Sequence, residues 1–322
     1  MNKKTVVAFG EIMLRLTAPE MILSATQFSA CYGGSESNVL AALSCMGNDT
    51  RYLTKLPDND LGKGAILHLK KYGVDCSEII TDGSDMGMYF LEPEYGVRQA
   101  KVIYARKNSA VTTLQEDDFD YDKVFKDCCL FHISGISFAL SPSVKKLCFR
   151  LLEEARDRSI PVSFDFNYRA KLWTSEDAAA AFRQIMPYVN IVFGSERDLT
   201  VFLGITKEDF FTAYGNCKYL VVRQREILSG DHHAVKVDVY TKNGLTATGE
   251  NSFVVKERIG GGDAFTAGFL HGFLHMDTSV QDVLDFAITC FSLKHSVSGD
   301  VLPFSDAEIS SHMIYSQKDV MR

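Results

Sequence analysis

Short apolar runs alternate with helical patterns along most of the chain, and this alternation limits the fold more than any other feature. Strand-like runs lie at 5–10, 128–135, 161–167, 189–195 and 218–224, and helical patterns lie at 37–47, 61–75 and 141–159. Strands separated by helices favour a mostly parallel sheet with helices on both faces. The sequence therefore predicts an α/β protein whose ligands bind beyond the carboxyl ends of the strands.

One stretch breaks this alternation. Residues 86–110 contain two strand-like runs joined by a turn, with no helical pattern between them. This predicts a hairpin, part of a small sheet that projects from the main one. In the second run, alternation places Val102, Tyr104 and Arg106 on one face. That face suits either an anionic substrate or a solvated surface ribbon, and the stretch alone favours the ribbon.

The charge and the cysteines exclude several classes of protein. The 322 residues include 41 acidic and 34 basic ones, a net charge of -7, which argues against a nucleic-acid or membrane partner. No apolar run approaches the roughly 20 residues that cross a bilayer, and we expect no signal peptide. The eight cysteines form no Cys-x-x-Cys pair. This indicates free thiols in a cytoplasmic protein.

A strand-like run lies at 251–257. Three consecutive glycines, Gly260, Gly261 and Gly262, follow it and stand directly before Asp263 and a helical apolar pattern. They predict a turn into a helix N-terminus, where free N–H groups bind anions. We expect these N–H groups to keep the Asp263 carboxylate ionised. A carboxylate at such a turn is a candidate general base for phosphoryl transfer to a hydroxyl. The alternative is a tight turn in which Asp263 only caps the helix.

The stretch GGGDAFTAGFLHGFL resembles the carboxyl-terminal signature of the phosphofructokinase-B, or ribokinase-like, sugar kinases. In that family a Gly-Ala-Gly-Asp turn forms an anion hole and supplies the base. A distant stretch, YGGSESNVLAALSCMG, resembles the family's Gly-Gly-x-x-x-Asn sugar-site element. Other segments, among them KVIYARKNSA, VSFDFNYRAKLW and SLKHSVSGD, resemble the 2-keto-3-deoxygluconate kinases. The resemblance covers about residues 5 to 310.

The resemblance implies one ribokinase-like domain over 1–322, a three-layer sandwich with a mostly parallel central sheet. It also implies a small β-sheet lid formed by about 11–36 and 86–110. Asp263 and the glycines 260–262 would be catalytic. The residues implied for the acid sugar are Gly33, Gly34, Asn38, Tyr89, Tyr104, Arg106, Arg169 and Asp300. Arg169 would hold the substrate carboxylate, and Asp300 would contact a hydroxyl.

ATP and Mg²⁺ are the implied cofactors. Ser195, Arg225, Gly260 and Gly262 would bind the nucleotide, and Asp198 would lie near the metal. The chain departs from the family pattern in this region. Glu257-Arg258-Ile259 replaces Asp-Thr, Ser195 and Asp198 replace Asn and Glu, and RQREILSGDHH replaces Lys-x-Gly-x-x-Gly. These departures leave the nucleotide and metal contacts open, with Glu196 as an alternative to Asp198.

The implied reaction transfers the γ-phosphoryl group of ATP to the 6-hydroxyl of 2-keto-3-deoxygluconate, in a homo-oligomer. Fructose and 2-keto-3-deoxygalactonate are alternative substrates. Fructose ranks lower, because it would leave two arginines facing no carboxylate. A catalytically silent sugar- or nucleotide-binding regulator is the alternative from another class. The sequence leaves open the epimer, the oligomeric state and activation by a monovalent cation.

Two histidine sites invite a functional interpretation. His132 alternates with apolar neighbours, which predicts a hydrogen-bonded core histidine. His232 and His233 have no third residue at a metal-ligand spacing, so we expect a solvated loop there.

Overall fold

The computed structural model describes residues 5–96, 98–229 and 231–315. Within these ranges the strands are β1 (Thr5–Phe9), β2 (Met13–Thr17), β3 (Ser29–Gly33), β4 (Thr50–Leu56), β5 (Ile79–Thr81), β6 (Met88–Glu92), β7 (Lys101–Ala105), β8 (Cys128–Ser134), β9 (Val162–Asp165), β10 (Ile191–Gly194), β11 (Tyr219–Ile227), β12 (His232–Thr241) and β13 (Gly244–Val254). The α-helices are α1 (Ser35–Cys45), α2 (Asp60–Lys71), α3 (Tyr121–Val124), α4 (Pro142–Asp157), α5 (Ser175–Ile185), α6 (Glu196–Asp198), α7 (Phe210–Ala213), α8 (Gly261–His275), α9 (Val280–Lys294) and α10 (Asp306–Tyr315).

The large sheet has nine strands in the order β13-β12-β11-β10-β9-β8-β1-β4-β5. Pairing is parallel from β5 to β11 and antiparallel in β11-β12-β13. Alternate residues of β1 enter different cores: Val6 and Ala8 pack with α1, α8 and α9, while Val7 and Phe9 pack with α4 and α5. The sheet therefore has helices on both faces, and the predicted α/β class is confirmed.

The small sheet has the order β3-β2-β6-β7. β6 and β7 pair antiparallel, with Tyr89 opposite Tyr104, so the predicted hairpin is confirmed. Val102 and Tyr104 are half-buried while Lys101, Ile103 and Ala105 are exposed, as the alternation predicts. The strands of this sheet fall within the two segments expected to form a lid.

The structure corrects two sequence expectations. His232 and His233 lie in strand β12 rather than in a solvated loop, and the His233 side chain is buried beside Phe253. The strand expected at 251–257 belongs to β13, which begins at Gly244 and ends at Val254. The buried Val235, Val237 and Val239 alternate with polar residues in β12, so the sequence did contain a signal for this antiparallel hairpin.

His132 has the predicted core position. Its side chain is fully buried, and its Nδ1 lies 3.1 Å from Ser163 Oγ. Burial lowers the pKa of His132 to about 4. No helix in the described part of the chain is both long and apolar enough to cross a membrane.

We predict that Phe182→Ala lowers the free energy of unfolding by about 3–5 kcal/mol, because a large buried ring is lost. The Phe182 ring centroid lies 5.1 Å from that of Phe166 and 5.3 Å from that of Trp173. Urea denaturation measures the change, with Ile103→Ala as the control. Ile103 is 41% exposed, so its replacement should change stability by no more than about 0.5 kcal/mol. Equal losses in the two variants would contradict the packing described above.

Candidate functional site

The glycine turn before α8 is shaped by close backbone contacts. Gly260, the residue before the helix, has φ +84°, and a Cβ there would lie 1.9 Å from the Asp300 backbone oxygen. A Cβ at Gly261 would lie 2.4 Å from Cε1 of His295. These positions require glycine because the segment 295–300 packs directly against the turn. Helix α8 therefore begins directly after a tight turn, as the sequence predicts.

The N-terminus of α1 lies at the same site. α1 begins at Ser35 and is preceded by Gly34, which supplies no side-chain cap. The helical pattern predicted at 37–47 therefore begins two residues later than the helix itself. A Cβ on Gly34 would lie 2.1 Å from the Glu11 backbone oxygen, and one on Gly33 would lie 2.0 Å from Oδ2 of Asp300. Both glycines allow the chain to pass close to the residues of the site.

The Asp263 carboxylate accepts hydrogen bonds from α1. Ser35 Oγ donates to Oδ1 at 2.9 Å, and Asn38 Nδ2 donates to Oδ2 at 2.7 Å. Asn167, which follows β9, donates from Nδ2 to Ser35 Oγ at 2.7 Å. Three segments that are distant in sequence thus fix one carboxylate in place.

Burial, together with the nearby charges of Asp165 and Asp300, raises the pKa of Asp263 to about 7. The hydrogen bonds from Asn38 and Ser35 lower it. The expectation that N–H groups keep this carboxylate ionised is wrong, because in the described residues the donors to its oxygens are side chains. At neutral pH both protonation states are populated, which suits a group that takes up and releases a proton.

A cavity of about 290 Å³ lies in front of Asp263. The structure brings together here all the residues predicted for catalysis and for the sugar, and three of the four predicted for the nucleotide: Gly33, Gly34, Asn38, Tyr89, Tyr104, Arg106, Arg169, Arg225, Gly260, Gly261, Gly262, Asp263 and Asp300. A larger cavity of about 1100 Å³ shares Val102, Tyr104, Arg106 and Arg169 with it. The two cavities therefore meet beside β7, the edge strand of the small sheet.

Asp300 is bound to other residues of the site. Arg15 Nη1 lies 2.5 Å from its Oδ1, and the Tyr89 hydroxyl donates to its Oδ2 at 2.9 Å. Arg15 also pairs with Glu257, with Nη2 3.1 Å from Oε2. Burial raises the pKa of Asp300, while Arg15 and the hydrogen bond from Tyr89 lower it. Arg15 joins the small sheet to the segment beside the glycine turn, and sequence reasoning missed it.

The two arginines predicted for the acid sugar differ in their surroundings. Arg106 pairs with the buried carboxylate of Glu11, which also accepts a hydrogen bond from Ser109 Oγ at 2.6 Å. Arg169 is exposed and donates from Nη1 to the backbone oxygens of Asn167 and Tyr168 at 3.3 and 3.2 Å. Among the described residues Arg169 has no carboxylate partner. Of these two arginines, Arg169 is therefore the one that is available to an incoming anion.

Arg223 is a second residue that sequence reasoning missed. Its Nη1 donates to the Gly262 backbone oxygen at 2.9 Å, and its Nη2 lies 2.6 Å from Asp165 Oδ2. It thereby supports the glycine turn from the end of the parallel sheet. An arginine directly after the apolar run in KYLVVRQ was the available signal. Arg225, two residues on, lines the cavity, and its buried Nη2 has no partner among the described residues.

Asp198, predicted near the metal, and Ser195, predicted for the nucleotide, line a neighbouring cavity of about 720 Å³. Asp198 Oδ2 accepts hydrogen bonds from Ser195 N and Oγ at 2.8 and 2.7 Å, which caps α6. Asp165, Arg169 and Arg223 line both cavities. In the described part of the chain no three His, Cys, Asp or Glu residues form a ready metal site. Asp165 and Asp198 could still hold Mg²⁺ together with phosphate oxygens, since Mg²⁺ often takes only one or two carboxylates.

Comparison with known proteins adds to this geometry. The model of the pfkB family carbohydrate kinases matches residues 3–307. The chain is 31% identical over 315 residues to a 2-dehydro-3-deoxygalactonokinase of Haloferax volcanii, covering 94% of each protein. It is 28% identical over 304 residues to a 2-dehydro-3-deoxygluconokinase of Thermoproteus tenax, covering 92% of this chain and 90% of that one. The crystal structure of a 2-dehydro-3-deoxygluconokinase of Thermotoga maritima matches with 34% identity and a TM-score of 0.92, over 97% and 98% of the two chains. These matches confirm the predicted ribokinase-like fold.

We predict that Ser35→Ala raises the pKa of Asp263 above its value of about 7 in the parent. The substitution removes a hydrogen bond that favours the ionised carboxylate. Carbon-13 NMR titration of the aspartate carboxyl groups measures both values, and Asp263→Asn assigns the resonance. Ser296→Ala, on an exposed hydroxyl that bonds Leu293 O, is the control and should leave the titration unchanged. A parent pKa near 4, or no rise in Ser35→Ala, would contradict the account of this carboxylate.

Proposed function

Because the chain belongs to the pfkB family of carbohydrate kinases, we propose that it transfers the γ-phosphoryl group of ATP to the 6-hydroxyl of 2-keto-3-deoxygluconate. This sugar is also called 2-dehydro-3-deoxygluconate. The observation that supports the proposal most is the meeting of two groups in one cavity. Asp263, whose pKa is about 7, lies at the glycine turn before α8, and Arg169, without a carboxylate partner in the described residues, lines the same space.

Asp263 is the proposed general base. It accepts the proton of the sugar hydroxyl as the hydroxyl oxygen attacks the γ-phosphorus, and the bond to the β-phosphate oxygen breaks to release ADP. The N–H groups of the glycine turn at the start of α8 stabilise the negative charge on the phosphoryl oxygens. Arg223 holds the Gly262 carbonyl and so keeps these N–H groups aimed into the cavity. Asp165 and Asp198 would hold Mg²⁺, which supplies charge neutralisation on the phosphates when bound.

Arg169 is the proposed partner of the sugar carboxylate. A guanidinium group can bind a carboxylate through two parallel hydrogen bonds. Tyr104 and Arg106 line the same cavity from the small sheet, and we propose that this sheet closes over the sugar as a lid and excludes water. Fructose has no carboxylate for Arg169, which ranks it below the acid sugars.

A second candidate substrate is 2-keto-3-deoxygalactonate, the epimer for which the Haloferax volcanii relative is named. The two sugars differ at one hydroxyl and share the carboxylate, so Arg169 would bind either. A catalytically silent regulator is disfavoured, because Asp263 and its hydrogen-bond donors are all in place. ADP release in the presence of ATP and each of the three sugars tests these choices. A kcat/KM for fructose equal to or above that for both acid sugars would overturn the proposal.

We predict that Arg169→Lys lowers kcat/KM for the acid sugar although it keeps the charge. Lysine cannot reproduce the two parallel hydrogen bonds, and the loss should be on the order of 1.5–3 kcal/mol, or roughly 10- to 150-fold. Any activity on fructose should change little. Arg156→Lys, on an exposed arginine of α4 that pairs with Asp157, is the matched control. Unchanged kinetics in Arg169→Lys would show that this side chain does not touch the carboxylate.

A further inference from the structure

Lys294, the last residue of α9, is a buried ammonium group that the proposed mechanism does not use. The residue has 0% exposure. Its Nζ donates to the Val297 backbone oxygen at 3.5 Å, and no carboxylate in the described residues lies within ion-pair distance of it. An isolated charge in a protein interior is costly. The energetic cost of burying Lys294 must therefore be offset by another interaction at this position.

The segment that contains Lys294 surrounds the glycine turn. The ring of the next residue, His295, lies against Gly261, and the Asp300 backbone lies against Gly260. The His295 backbone oxygen accepts hydrogen bonds from the N–H groups of Lys256 and Glu257, at 2.8 and 3.3 Å. The ammonium group of Lys294 forms its hydrogen bond within this segment. Lys294 therefore lies behind the turn that binds the phosphoryl group in the proposed function.

The buried charges near Lys294 do not balance without it. Arg15 pairs with both Asp300 and Glu257, so two carboxylates share one guanidinium group and leave one negative charge in excess. The charged groups that act on Lys294 are these three residues and Asp263. Burial lowers the pKa of Lys294, and Glu257 and Asp300 oppose that shift. The C-terminus of α9 also favours a cation at this position.

We propose that Lys294 is a positioning residue that balances the charge of Arg15, Glu257 and Asp300, so that phosphate anions can bind at the glycine turn. With Lys294, two cations face two carboxylates, and the group is neutral. Without it, the excess negative charge would repel the phosphates of the donor and raise the cost of ionising Asp263. The inference rests on the proposed function for the identity of the anion as a donor phosphate.

The first experiment measures anion binding without turnover. Inorganic tripolyphosphate is titrated into the protein at pH 8 and fixed ionic strength, by calorimetry. We expect Lys294→Met to weaken binding by about fivefold or more, because a nearby positive charge is lost in a low-dielectric region. Lys256→Met is the matched control, since it removes an exposed lysine from the same neighbourhood and should leave binding within about twofold.

The decisive variant is the double substitution Lys294→Met/Glu257→Gln. It removes one positive and one negative charge and leaves Arg15 with Asp300 alone, so tripolyphosphate affinity should return to near the parental value. A packing role for Lys294 would not be repaired by a change at Glu257. Unchanged affinity in Lys294→Met, or no recovery in the double variant, would overturn the inference.

A pH profile supplies a second and independent measurement. Loss of a positive charge near Asp263 should move the acidic limb of kcat/KM for the sugar to higher pH, whereas a general loss of structure would lower activity equally at all pH values. The charges of Asp165 and Asp300 also raise the pKa of Asp263 and so affect the acidic limb. Both residues stay unchanged in Lys294→Met. An acidic limb that does not move would count against Lys294. If the protein phosphorylates no acid sugar, the proposed function fails, and the tripolyphosphate titrations still decide the role of Lys294.

Discussion

The hydrogen bonds from Ser35 and Asn38 to Asp263 are the interactions on which the arrangement of this site depends. They join the first turn of α1 to the first turn of α8, more than 220 positions apart in the sequence. The two helices pack side by side in one core, and their N-termini meet at the edge where the parallel strands end. One pair of hydrogen bonds thus fixes the position of the carboxylate and helps to set its pKa.

The small sheet is attached to this site by buried charges. Arg15 of β2 reaches Asp300 and Glu257, and Arg106, just after β7, reaches Glu11 between β1 and β2. Lys171 adds a hydrogen bond from its Nζ to the Val102 backbone oxygen at 2.7 Å. Isolated buried ion pairs add little to stability, because desolvation offsets the attraction. We infer that these pairs instead specify where the sheet lies over the cavity.

The sequence predicted the parallel sheet, the hairpin of the small sheet and the glycine turn, because each follows from local periodicity or from a required backbone shape. It also named the residues that line the cavity, through the resemblance to sugar kinases. It did not reveal the roles of Arg15, Arg223 or Lys294. Their partners are distant in the chain, and an arginine or lysine in a strand or helix carries no local sign of what it will face. The ionisation of Asp263 was misjudged for a related reason: the glycine N–H groups are visible in the sequence, and the burial that raises the pKa is not.

Asp263 is the centre of the account, and Asp263→Asn tests it most directly. The pKa of Asp263 is higher in the folded protein, at about 7, than in the unfolded chain. Protonated Asp263 therefore contributes stability at pH values below the unfolded-state pKa, and this contribution is lost as the pH rises toward about 7. Asparagine avoids that loss, and the variant should be at least as stable as the parent at pH 8. The measurement is turnover of the acid sugar by the purified variant, with ATP affinity and thermal stability determined on the same sample. We expect kcat to fall by roughly 10²- to 10⁴-fold while ATP affinity and stability are retained. Turnover within a few-fold of the parent would contradict the assignment of Asp263 as the base.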